Sequence, residues 1–213
     1  MGLDLGQSQD YTALAVLERA ELKGPWDPVQ FAWRKTETVR LRYLERIPLG
    51  TPYPEIVERV RHVTRSGELF GKCCLAVDAS GVGRPVVDLL ERADLHCRIF
   101  PAVITGGDVE SNSGGYYRVP KRNVIVALQV LLQRRGLQIA AGLKYGAALV
   151  EEMASMRVKV TPSGNEQFAA WREGEHDDLV FAVALGYWAL KKVYPVPISG
   201  DDRYWRRGEP GLR

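Results

Sequence analysis

Three strand-like stretches precede the first helical period of this chain, and that order narrows its fold more than any other feature. Residues 1–4 open at once into an extended pattern, with Leu3 and Leu5 on one face and Gly2, Asp4 and Gly6 on the other. Residues 7–10 are polar and read as a turn. Residues 11–17, rich in Ala, Val and Leu, read as a second strand. The run Gly24-Pro25-Trp26-Asp27-Pro28 has the residues of a turn, and residues 29–39 alternate as a third strand. Short connections of this kind predict an antiparallel meander.

Helical and strand periods then alternate. Ile56, Val57, Val60 and Val63 fall at helical spacing within residues 53–63. Residues 73–77 form a short apolar run ending at Asp78, as in a strand buried on both faces. A helix is predicted over 85–93 and a strand over 97–103. Residues 105–117, rich in Gly, Ser and Asp, read as a mobile loop or hairpin. Helices are predicted over 120–135, 145–155 and 176–192, with a short strand over 137–140. Residues 158–161 and 167–171 bracket Pro162-Ser163-Gly164-Asn165 and read as a hairpin. Three antiparallel strands followed by alternating helix and strand predict an α/β domain, a central mixed β-sheet flanked by helices.

Composition sets outer limits. The 213 residues, 46% hydrophobic and 26% charged, suit one soluble domain that needs no disulfide or structural metal to build a core. We expect that domain over 1–195, and a flexible tail rich in Pro, Gly and Arg over 196–213. The net charge of +3 allows a local basic patch but does not require a nucleic-acid partner. Cys73, Cys74 and Cys97 are odd in number and lack a zinc spacing, so reduced thiols and an intracellular setting are expected. No cationic leader precedes Asp4. The apolar run 179–190 is too short to span a bilayer and reads as a core helix.

Four acidic residues stand out against this pattern. Asp4 lies inside the first strand, where Asp is disfavoured. Asp78 ends the buried strand. Asp177 and Asp178 open the most apolar helix of the chain. Each has an ordinary reading: Asp177 as a helix cap, Asp78 as a turn initiator, Asp4 as a residue left exposed by a terminal strand. Jointly they suggest more. Carboxylates bordering a core are costly unless paired or bound to a cation, and clustered carboxylate oxygens suit Mg²⁺ or Mn²⁺. Two such ions about 3.5–4 Å apart can activate water and stabilise the leaving oxygen of a phosphodiester.

The residues also resemble a known family, the nuclease domain of the tailed-phage terminase large subunit. The matching stretches are Gly2-Leu3-Asp4-Leu5-Gly6 with Asp10-Tyr11-Thr12-Ala13, Val77-Asp78-Ala79-Ser80-Gly81-Val82-Gly83, Val119-Pro120-Lys121-Arg122, and His176-Asp177-Asp178-Leu179-Val180. They run in order from one end of the chain to the other. The resemblance implies a ribonuclease H-like fold and metal-dependent cleavage of double-stranded DNA during genome packaging, with Mg²⁺ or Mn²⁺, two ions in catalysis. It assigns catalysis to Asp4, Asp78 and Asp178 and metal binding to Asp4, Asp78, Asp177 and Asp178, with Asp178 favoured over Asp177 as principal ligand. It also implies an ATPase domain, a small terminase subunit and a portal as partners, no membrane, and the cytoplasm of an infected bacterium as location. One departure matters: these 213 residues contain no G-x-x-x-x-G-K-[ST] phosphate loop. The chain therefore looks like a nuclease domain without its motor.

Arg118, Lys121 and Arg122 are candidate contacts to DNA phosphates, and Gly81 and Gly83 would let a phosphate approach the backbone. Tyr116 and Tyr117 either meet DNA or pack. His176 is either a site residue or a partly exposed side chain at the helix entrance; His62 and His96 have no partners that suggest catalysis. Three other functions compete. An actin or sugar-kinase type ATP-binding domain also opens with Asp and Gly on a first strand, but needs more chain. A junction resolvase or integrase shares the fold. A non-catalytic DNA-binding module would keep the fold without cutting.

Overall fold

The computed structural model describes residues 1–6, 10–80, 83–160, 166–170 and 176–193. The chain opens with the meander expected from its pattern: β1 (Gly2–Asp4), β2 (Thr12–Asp27) and β3 (Ala32–Ile47), each antiparallel to the one before. There follow α1 (Tyr53–Thr64), β4 (Cys74–Asp78), α2 (Gly83–Arg92) and β5 (Arg98–Thr105). The Gly-rich segment forms a hairpin of β6 (Ser111–Ser113) and β7 (Tyr116–Pro120). Next come α3 (Lys121–Gln133), β8 (Leu137–Ile139) and α4 (Gly146–Ser155). A separate hairpin, β9 (Met156–Val160) with β10 (Glu166–Ala170), precedes α5 (Asp178–Val193).

Eight strands make one mixed sheet in the order β6-β7-β5-β4-β1-β2-β3-β8. The strands β1, β4, β5 and β7 run parallel. Their carboxyl ends therefore share one edge, and that edge carries Asp4, Asp78, Thr105 and Pro120. The strand β3 runs the same way because two antiparallel steps separate it from β1. It brings Arg46 to the same edge.

Several boundaries differ from the sequence reading: β2 runs on to Asp27 rather than ending at 17, and β3 runs to Ile47 rather than 39. The turn expected at residues 24–28 lies further on, at 28–31, and the third strand starts at Ala32 rather than 29. A register shift between Lys23 and Trp26 absorbs Gly24-Pro25 as a bulge, where a proline without an N–H costs no ladder bond. Asp27 makes the real turn. Its Oδ1 accepts the N–H groups of Val29 and Gln30 at 3.0 and 3.2 Å. Residues 7–9 of the expected polar turn at 7–10, the hairpin turn at 161–165, Gly81, Trp171 and the tail at 196–213 lie outside the described residues.

Helices cover both faces of the sheet. Ile56, Val57 and Val60 of α1 and Val86, Val87 and Leu90 of α2 pack on Leu3, Leu14, Leu75 and Val77. On the other face α5 lies against Ala13, Ala15 and Ala76, with α3 and α4 beside it. Every residue from Asp178 to Gly186 is buried, which accounts for the apolar run in the sequence. Among the described residues no helix is long and apolar enough to cross a membrane.

The seat of α5 depends on two glycines. A Cβ on Gly2 would lie 2.0 Å from the Ala182 carbonyl oxygen and 2.4 Å from the Gly186 nitrogen. A Cβ on Gly186 would lie 2.4 Å from Leu17 Cδ1 and 3.0 Å from the Gly2 nitrogen. At Gly2 every close neighbour is backbone, which cannot rotate away. Gly2→Ala is expected to lower the urea midpoint, with a loss of about 2 kcal/mol or more as for an overpacked core. An unchanged midpoint would show that α5 can retreat without penalty.

Candidate metal centre

The alternation of β1 and β4 decides where the first two aspartates point. Leu3, Leu75 and Val77 face the α1 and α2 side, so Asp4 and Asp78 take the α5 side. The start of α5 lies over that edge, with the Phe181 N–H donating to the Asp177 carbonyl at 2.8 Å. Asp4, Asp78, Asp177 and Asp178 thus come together from three distant parts of the chain. Burial pushes the Asp4 carboxyl well above the usual carboxylate range, and the neighbouring charges of Asp78, Asp177 and Asp178 push it further. Burial also raises Asp78, against the pull of its hydrogen bond from Ser80. That bond, 2.8 Å from the Ser80 N–H to Oδ1, also makes Asp78 the turn initiator that the sequence allowed.

Two protein cations hold the cluster. The Lys121 ammonium lies 2.9 Å from Asp177 Oδ2, and its charge pulls Asp4 and Asp78 downward. The Arg46 guanidinium grips Asp178 with two bonds, Nε to Oδ2 at 2.9 Å and Nη2 to Oδ1 at 3.2 Å. Arg46 also pairs with Glu152 of α4. Glu152 in turn accepts the N–H groups of Leu179 and Val180 at 3.1 and 3.2 Å, capping the first turn of α5. Burial first, and Asp178 second, push the Glu152 carboxyl up to about 7. Asp178 itself is raised by burial and drawn back by Arg46.

The fit to a divalent ion follows from this donor set. Carboxylate oxygens are the hard donors that Mg²⁺ and Mn²⁺ take, and the mutual repulsion felt at Asp4 is what a cation would relieve. As the side chains stand, no three acidic, His or Cys groups among the described residues are arranged to enclose an ion. Lys121 and Arg46 engage the aspartates instead.

The other candidates fall in different places. Lys121, read as a phosphate contact, belongs to the acidic cluster. Arg122 is exposed on the first turn of α3. Arg118 is exposed and lies on the face of β7 opposite Tyr117 and Val119. Tyr117 packs against Phe100 and Trp188, with ring centroids 5.7 and 5.4 Å away. His176 meets the Tyr11 ring edge-on at 4.9 Å, and Arg46 lies 5.0 Å from the same ring. His62 lines a cavity of about 780 Å³ with Met1, Leu17, Cys73 and Leu190, at the opposite end of the strands from the aspartates.

Sequence reasoning missed Arg46 and Glu152. Glu152 left a trace, because it falls three residues from Leu149 on the buried face of α4. Arg46 left none, since a register shift between Val16 and Leu17 changes the alternation of β3 before it is reached.

No family model matches the chain. The terminase large subunit of Thermus phage G20c is 25% identical over 187 residues, which are 88% of this chain and 30% of that protein. This chain thus spans about 30% of the length of that curated relative. The large terminase nuclease of phage G20c with bound magnesium has a TM-score of 0.57 at 22% identity, covering 88% of this chain and 78% of that one. The chain has the fold of a terminase nuclease domain. A manganese-soaked human cytomegalovirus terminase nuclease domain shares this ribonuclease H-like fold, with a TM-score of 0.55 at 12% identity over 92% of this chain and 84% of that one.

The terminase nuclease fold carries its charge network at a cost that depends on pH. Glu152 has an ordinary value of 4.5 and is held at about 7. Across that window the folded state holds more protons than the unfolded one, so this group lowers stability as pH rises. Glu152→Gln mimics the protonated form. In chelator, the stability of the variant relative to the parent should grow from pH 4.5 to pH 7, read by urea unfolding. A difference that stays constant over that range would refute the assignment.

Proposed function

We propose that this chain is a metal-dependent endonuclease that cuts double-stranded DNA during viral genome packaging. The convergence of Asp4, Asp78, Asp177 and Asp178 at one sheet edge carries the reading. Nothing in the packing of the core calls for four carboxylates there; burial opposes the ionisation of Asp4, Asp78 and Asp178, and the neighbouring aspartate charges oppose that of Asp4 as well. The sequence similarity to a terminase large subunit and the shared fold support the same reaction class.

Asp4, Asp78 and Asp178 are the residues assigned to catalysis, with Asp177 as a further ligand. These carboxylates would hold Mg²⁺ or Mn²⁺, as a pair of ions, which would supply an activated water and neutralise charge developing on the phosphodiester. The chain does the rest. Asp4 and Asp78 offer oxygens from rigid strand ends. Arg46 fixes the orientation of Asp178, and Glu152 ties down the turn of α5 that carries it. Arg122, exposed on the first turn of α3, supplies positive charge for phosphates near that entrance. Contacts of that type do not read base edges, so binding is sequence-independent and weakened by salt.

The fuller setting is a terminase ATPase domain, a small terminase subunit and a portal, in the cytoplasm of the infected host. Plasmid cleavage tests the core of the proposal. With Mn²⁺ or Mg²⁺ the protein should nick and linearise supercoiled DNA, and chelator or Asp78→Asn should abolish both products. Cutting that survives chelator and the substitution would remove the aspartates from the mechanism.

A further inference from the structure

We infer that Lys121 is a built-in counter-cation of the metal site, which holds the aspartates together before metal arrives and competes with the ions for them. The inference rests on the metal-site reading above. Lys121 is the first residue of α3, directly after Pro120, which pairs with Thr105 at the carboxyl edge of the sheet. That position places its ammonium inside the group of aspartates rather than on the outer surface of the helix. The Nζ is 2.9 Å from Asp177 Oδ2, and the side chain is one-third exposed.

The ammonium has a second partner, because Nζ lies 5.1 Å from the Phe181 ring, one turn into α5. Lys121 thereby links α3 to the start of α5 across the cluster. Lys121 follows Pro120 at the same carboxyl edge of the sheet where β1 ends at Asp4 and β4 at Asp78. A divalent ion entering the cluster meets this charge at close range and must overcome its repulsion or displace it. The lysine thus sets a threshold for metal occupancy, and once released it is free to meet a phosphate.

This is a positioning role acting through the aspartates, and metal affinity reports on it without any turnover. Mn²⁺ binding is measured by calorimetry on the whole chain at pH 8 without DNA, for the parent, Lys121→Met and Lys121→Arg. The methionine keeps the stem and removes the charge. It should bind Mn²⁺ about tenfold more tightly than the parent, the order expected for removing a unit charge near a screened dication. Arginine should restore parental affinity. Parental or weaker affinity in Lys121→Met, beside normal binding by the parent, overturns the inference and leaves the metal site standing. Failure of the parent to bind Mn²⁺ at all overturns both. Lys121→Gln repeats the comparison should the methionine variant not fold.

Discussion

The approach of α5 to β1 is the constraint on which the rest of this structure depends. A helix can lie this close to a sheet only where side chains are absent or small, and Gly2, Gly186, Ala13, Ala15 and Ala76 meet that need. The consequence is chemical as well as structural. An α5 held further out would leave Asp177 and Asp178 in solvent, too far from Asp4 and Asp78 to act with them. The same close packing removes water from Asp4, and desolvation is the largest cause of its raised proton affinity.

Once the carboxylates are together, their repulsion must be balanced. The fold does this twice, with Lys121 on Asp177 and Arg46 on Asp178. The Arg46 arrangement is the more buried of the two, with 19% of its side chain exposed against 9% for Glu152 and 5% for Asp178. Removing one partner from so enclosed a network strands a charge, which typically costs about 3–5 kcal/mol. Glu152 also closes the N-terminal turn of α5, so helix capping and site electrostatics are one network. The acidic cluster is therefore an electrostatic burden on the fold, offset by Lys121, Arg46 and Glu152.

The division of labour across the sheet is clear. The carboxyl edge gathers charge, as expected for a sheet whose parallel strands end together. The opposite end holds the cavity lined by Met1, Cys73 and Leu190. The long β2–β3 ribbon also runs that way, past the last residues paired to β1 and β8. Its far turn exposes Val29 and Phe31, while Trp26 and Trp33 meet edge-on at 5.5 Å.

The sequence by itself determined the order of the elements, the two faces of β1 and the burial of β4 on both sides, and it singled out four aspartates. These follow from periods of two and 3.6 residues, which are local properties. It also carried enough short motifs to suggest the family. The turn of the β2–β3 hairpin was misplaced because a Gly-Pro pair serves a bulge as well as a turn, and only strand pairing decides between them. Only the tertiary structure decided that Lys121 joins the aspartates, that Arg118 lies on another face, and that Arg46 and Glu152 complete the site. Those partners are 132 residues apart for Arg46 with Asp178, and 56 for Lys121 with Asp177. Ion pairing over such separations leaves no period in the sequence. It exists only after the sheet order and the seat of α5 have brought the charges within a few ångströms, where Coulomb attraction outweighs hydration.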